Sequence, residues 1–361
     1  MKNNSNLTKD LLLIFIVIKI SSEIISYDLI SNKTKLNPLS IYFKDSICQT
    51  YILSLFSPFP LVNYGEYDKI KKQPYKLKIK NPIMDELYYN VYLGNVLDKN
   101  ILFGMRPDDQ KKDCYFGLSP ELQESDEFED RNNTLEYLKF TNQTTEKKFS
   151  IDKWDLNSDM IKSKLYLGYN HENFNSKNSK YIGTCQNIIG DSYWGCYFKQ
   201  MIFNNTKIPL SRTDEEDYKI YFSNEYTINF PLKFKEIFVN SSDDSCIYDN
   251  KNKKIIYKDW FNEDLFIPLS LSNDNMDITL EIDNLKRFNS EEEKDSIQIT
   301  FKSIDYIIFP LEMFKNFHIQ FDADNNITRF YSTNKSILNV KIKEPEQEKN
   351  TSSALTVFLV I

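Results

Sequence analysis

Residues 219–231 read KIYFSNEYTINFP. An apolar run, Ile220-Tyr221-Phe222, stops at Ser223-Asn224-Glu225. It resumes with Tyr226, Ile228 and Phe230 and ends at Pro231. This spacing predicts a strand, a tight polar turn and a returning strand.

The same grammar extends in both directions. YKLKIK (75–80), YYNVYL (88–93), KLYLGY (164–169), DITLEI (277–282) and SIQITF (296–301) read as short strands, and KLKIK and ITLEI alternate with period two. Polar segments such as RPDDQKKD, NSKNSK and NSEEEKD separate them. ESDEFEDRNN (124–133) and SRTDEEDY (211–218) read as solvated loops. Helical periodicity is confined to one short helix within 121–140 and another at 310–317, with Pro310 in its first turn. The class is mainly β.

Composition narrows the function. The 361 residues are 41% hydrophobic, with 26 Phe and 23 Tyr, which supplies real cores and excludes wholesale disorder. The formal charge is −7, and no run of adjacent basic residues exceeds two. A nucleic-acid partner needs a basic surface and is not expected. The only histidines are His171 and His318, and no His-Glu-x-x-His or Cys-x-x-Cys spacing occurs. With no phosphate loop or dinucleotide fingerprint either, neither metal nor cofactor is expected.

The ends and the cysteines point to a secretory route. Lys2 and Lys9 precede an apolar run from Leu11 to Ile20, followed by Ser21 and Ser22. That order reads as a signal peptide over residues 1–22; a buried N-terminal strand is the other reading. Eight Asn-x-Ser/Thr sites follow it: Asn32, Asn132, Asn142, Asn204, Asn240, Asn326, Asn334 and Asn350. Cys185 and Cys196 flank QNIIGDSYWG, a strand-loop-strand return, and are expected to form a disulfide. Cys48 and Cys114 are either a second pair or buried thiols, and Cys246 is left over. After a polar spacer, small residues lead into the apolar tail Ala354–Ile361. This resembles a GPI-attachment signal with a short tail; a frayed end or a truncated membrane span are the alternatives.

Read in order, Pro38 to Thr333 resembles a pepsin-like aspartic protease. IIFPLEMFKNFHIQFDADNNITRFY (307–331) resembles that family's closing strand, short helix and hairpin, with Phe321-Asp322 and Asn325-Asn326 at the turn. YYNVYLGNVLDKNILFG (88–104) resembles the strand pair after the flap, and Tyr75 falls near the flap tyrosine. CYFGLSPE (114–121) resembles the segment that carries Gly-Leu-Gly. SKLYLGYNHENF (163–174) resembles the opening of the second lobe, with Tyr181 and Tyr193-Trp194 after it. MIFNNTKIPL (201–210) follows as a hairpin. The resemblance implies two β lobes, 23–150 and 151–335, around a cleft for an extended peptide, followed by a spacer and tail over 336–361.

Each lobe of that family carries an Asp-Thr/Ser-Gly loop. Here the matching stretches are TYILSLFSPFPLV (50–62) and KIYFSNEYTINFP (219–231), which set Ser54 and Phe222 at the two aspartate positions. Phe56 and Asn224 then stand at the glycine positions. Phe56 disfavours the left-handed conformations that glycine allows, so the loops are expected to have changed shape. The family's chemistry needs two carboxylates that share a proton around one water. Neither serine nor phenylalanine does that work, and none of the eight glycines follows an Asp-Ser or Asp-Thr pair. The resemblance therefore implies a catalytically silent relative with a binding, structural or inhibitory role. Two alternatives remain: a hydrolase using Asp243, Asp244 or Asp322, and an unrelated β-rich surface antigen.

Overall fold

The structure is a computed structural model. It describes residues 25–32, 40–42, 50–57, 61–62, 86–93, 96–105, 113–120, 133–140, 144–155, 160–168, 180–188, 193–203, 206–210, 218–224, 228–241, 246–257, 268–281, 298–314 and 316–332.

Strands dominate these residues. In chain order they are β1 (Ile25–Asn32), β2 (Ser40–Tyr42), β3 (Thr50–Ser54), β4 (Leu61–Val62), β5 (Glu86–Leu93), β6 (Val96–Met105) and β7 (Cys114–Gly117). Helix α1 (Thr134–Phe140) comes next, then β8 (Lys148–Asp155), β9 (Met160–Leu167), β10 (Lys180–Gln186), β11 (Gly195–Tyr197), β12 (Gln200–Phe203) and β13 (Thr206–Pro209). β14 (Lys219–Ser223) and β15 (Ile228–Pro231) flank the quoted turn, and helix α2 (Lys235–Ser241) follows. The chain then runs through β16 (Cys246–Asp249), β17 (Lys254–Tyr257), β18 (Pro268–Ser272), β19 (Asp277–Glu281), β20 (Gln298–Lys302), β21 (Ile307–Pro310), β22 (Phe317–Asp322) and β23 (Ile327–Ser332). The helix expected at 310–317 is only a 3-10 turn, Leu311–Phe314. Pro310 belongs to the strand before it, and the next strand opens at Phe317, which leaves too few residues for a helix.

β14 and β15 are not a hairpin. β21 lies between them, parallel to β14 and antiparallel to β15. The first half does the same, because β7 lies between β3 and β4, parallel to one and antiparallel to the other. The echo extends through every neighbour. β2 on β3 and β11 on β14 are antiparallel, β4 with β6 and β15 with β20 are parallel, and β5 on β6 and β17 on β20 are antiparallel. Two blocks, β2-β3-β7-β4-β6-β5 and β11-β14-β21-β15-β20-β17, therefore share one topology.

A further run of strands, β10-β23-β22-β8-β9-β1, continues the first block's sheet. KLYLGY, expected to open the second lobe, sits within this run, because β9 pairs with β8 on one side and with all eight residues of β1 on the other. Phe149, Ile151, Leu165, Ile319, Phe321 and Phe330 are fully buried on it. Phe149 stacks on Phe321 with centroids 4.6 Å apart, and both rings meet Trp194 at 5.5 and 5.1 Å. Stacked and edge-to-face rings at such distances add to the area they bury.

The Cys185–Cys196 disulfide ties β10 to β11, with its Cα atoms 5.6 Å apart. Cys114 is also disulfide-bonded, so it is not a buried thiol. Cys48 lies outside the described residues, as does the side chain of Cys246. Replacing Cys185 and Cys196 together by serine is expected to cost about 3 kcal/mol in chemical denaturation, the loop-closure value for a separation of this size.

Candidate functional site

The two loops after β3 and β14 are built differently. Ser54 is half-buried at the end of β3. Its Oγ accepts the backbone N–H of Phe56 at 3.3 Å and of Ser57 at 3.1 Å, which closes a turn that needs no glycine. Its carbonyl accepts the N–H of Leu118 at 2.8 Å. Phe56 avoids positive φ.

The internal repeat identifies which residue of the second loop corresponds to Ser54. Ser54 pairs with Gly117, the last residue of β7, and Leu53 pairs with Phe116. Ser223 pairs with Pro310, the last residue of β21, and Phe222 pairs with Phe309. The repeat is fixed independently by Leu61 opposite Tyr115 and Asn229 opposite Ile308, each partner being the second residue of its strand. Ser223, not Phe222, is thus the counterpart of Ser54. From Ser54 to Leu61 is seven steps, while from Ser223 to Asn229 is six. A comparison that assumes equal loops lands one residue early, on Phe222. No alternation in sequence corrects this, because Ile220 to Ser223 are all buried.

Phe222 is instead the counterpart of Leu53, and both are fully buried. The Phe222 ring lies 5.1 Å from Phe314, 5.9 Å from Phe321 and 6.3 Å from Phe330. It is a core residue that anchors β14 against the shared sheet.

The two loops are joined directly. Asn224, 5% exposed, donates its Nδ2–H to the carbonyl of Leu53 at 2.6 Å. The residues flanking each serine are therefore in contact across the two halves. Trp194 forms a second link. Its Nε1–H donates to the Leu118 carbonyl at 2.5 Å, and its own carbonyl accepts the Phe222 N–H at 3.0 Å. An aromatic row begins at the first loop, with Phe56 on Tyr193 at 5.0 Å, Tyr193 on Tyr221 at 5.4 Å and Tyr221 on Tyr306 at 5.2 Å. Tyr193 is 40% exposed, so the row reaches solvent.

Asp322 is committed to structure. Burial alone would raise its pKa, but hydrogen bonds from Asn325 and Arg329 and the charge of Lys148 outweigh it and hold the carboxyl below the ordinary range. The contacts are 2.6 Å to Arg329, 2.8 Å to Asn325 and 3.3 Å to Lys148. Asp243, Asp244 and Tyr75 lie outside the described residues. No group of three or more His, Cys, Asp or Glu suited to a metal occurs among the described residues.

Of the candidate glycosylation sites, Asn240 is exposed on α2. Asn326 sits at the β22–β23 turn with φ +54°, and the Thr328 of its motif is buried and donates to Asn187 at 2.6 Å. The side chain of Asn32, and Asn132, Asn142, Asn204, Asn334 and Asn350, lie outside the described residues.

A repeated strand arrangement, with a six-stranded run that draws strands from both halves of the chain, is the two-lobed acid-protease architecture, and the fold is mainly β and pepsin-like. Among solved structures the chain is similar to the crystal structure of basic 7S globulin from soybean, with a TM-score of 0.57 at 10% identity, over 87% of this chain and 96% of that one. No family profile matches the chain, and no curated protein matches it either.

Two outcomes test the site's construction. Phe222→Asp is expected to lose more than about 3 kcal/mol in urea unfolding, since it strands a carboxylate among rings, whereas Ser223→Asp is expected to lose markedly less. Equal losses would refute the one-residue correction. Asn224→Leu is expected to cost about 1–3 kcal/mol by leaving the Leu53 carbonyl unpaired.

A pH effect follows from Asp322. A carboxyl whose pKa is depressed by folding stabilises above its unfolded pKa of about 3.9 and loses that contribution as pH falls through the folded value. Acid unfolding scans are expected to show a shallower fall below pH 4 in Asp322→Asn than in the parent.

Proposed function

We propose that this protein is a non-hydrolytic relative of pepsin-like proteases which holds an extended peptide or protein segment between its lobes. The observation that carries the reading is the serine pair. Ser54 and Ser223 occupy twofold-related strand ends, the places where the resembled family keeps its two aspartates. A serine hydroxyl neither accepts a proton from water at acid pH nor shares one with a partner. General acid–base help is typically worth about 10²–10⁴-fold per group, and both groups are gone. The row Phe56, Tyr193, Tyr221 and Tyr306 offers apolar edges to a bound segment, and the serines offer hydrogen bonds without cleavage. A structural or inhibitory role follows from the same inert crevice.

The route is secretory. In support are the Cys185–Cys196 bridge, the disulfide at Cys114 and the apolar leader Leu11 to Ile20. The Ala354–Ile361 tail fits a lipid-anchor signal, and Asn240 is the best-presented glycan acceptor among the described residues.

The test is a casein and haemoglobin digestion series from pH 2 to 6, with and without pepstatin. No cleavage above a buffer control is expected at any pH. Cleavage that pepstatin blocks would overturn the proposal and return the chain to the peptidases.

A further inference from the structure

The shared sheet has two unlike faces. One is the apolar floor described above. On the other, cross-strand register places Lys148 and Ser150 of β8 beside Asp322 and Gln320 of β22, and Asp152 lies close to His318. β23 adds Arg329 and Tyr331, β9 adds Lys164 and Tyr166, and β1 adds Asp28. This polar face is nonetheless buried in its middle, with Ser150, Asp152, Gln320 and Asp322 at 1% exposure or less.

Charge on it falls into two systems. At one end Asp322 is held by Arg329 and Lys148. At the other, Asp152 lies 3.7 Å from His318 Nδ1, with Asp152 1% and His318 12% exposed. Lys164 stands opposite Asp152 in register, yet its Nζ is 3.7 Å from Asp28. The Tyr166 phenol nearby is pushed up to about 12, first by burial and then by the negative charges of Asp152 and Asp28. The surroundings of His318 thus combine one close carboxylate on β8, the phenol of Tyr166 and the Lys164–Asp28 pair on β9 and β1, and Tyr331 opposite it on β23. Lys148 and Arg329 are drawn to Asp322.

We propose that His318 and Asp152 form a proton-operated clasp between β22 and β8, closed in acid and released near neutrality. β22 follows directly from the second lobe's β21, through the turn Leu311–Phe314, while β8 and β9 run on to β1. The clasp therefore tightens the sheet through which the two halves are joined. It works independently of the serine pair and of any ligand. The sign is that of a proton held more firmly in the folded than in the unfolded chain. Stability is fully present below the ordinary imidazole value of about 6.5 and is lost as pH rises past it.

The experiment is thermal unfolding of the full chain between pH 5 and pH 8. The parent midpoint is expected to fall by about 1–2 °C over that interval, because the entropy of unfolding scales with chain length. The fall is expected to vanish in His318→Gln and to persist in His171→Gln. An unchanged pH slope in His318→Gln would overturn the clasp. Because Asp152→Asn risks misfolding, the second measurement is proton NMR of the parent. The His318 imidazole signal, identified by its absence from His318→Gln, is expected to titrate above about 6.5. Titration at or below that value would equally overturn it.

Discussion

Trp194 is the joint on which the rest of the structure depends. It is fully buried, and three bodies meet on it. Its indole N–H is bound by Leu118, just beyond β7 of the first lobe; its carbonyl holds Phe222 of β14 in the second; its ring packs on Phe149 and Phe321 of the shared sheet. The neighbouring disulfide ties β11, which starts one residue later, back to β10. A large apolar body with one polar handle suits such a place, because the ring fills the core while the N–H satisfies a carbonyl that burial would otherwise leave stranded.

The loops after β3 and β14 are held by side chains rather than by glycines. Ser54 Oγ closes its own turn by accepting two backbone N–H groups, so Phe56 is tolerated where a glycine was expected. Asn224 carries a hydrogen bond across to Leu53, whereas its counterpart in the first loop, Leu55, has no side-chain donor. Phe222 belongs to the aromatic floor. Asp322, the one candidate carboxylate among the described residues, is bound into a turn and ion pairs.

Much of this was legible in the chain. The period-two runs, the turn residues between them and the order of segments gave the mainly β class and the two-lobed resemblance, and the spacing of Cys185 and Cys196 around a return loop gave the disulfide that forms. The one-residue displacement from Phe222 to Ser223 was not legible. It arises from a shorter second loop, and burial on both faces of β14 erases the alternation that would have revealed it. The pairing of His318 with Asp152 was equally hidden, because the two residues are far apart in the chain and meet only through the register of β22 on β8.

By itself, the sequence determined the fold class and the absence of any Asp-Thr/Ser-Gly loop, since strand periodicity and residue type are local properties. Only the tertiary structure decided that two serines are the matched pair, that Asn224 and Trp194 lock the halves, and that one face of the shared sheet is polar and buried. Each of these depends on which strands lie side by side and in what register, and register between distant segments is set by the packing of the whole chain rather than by any stretch within it.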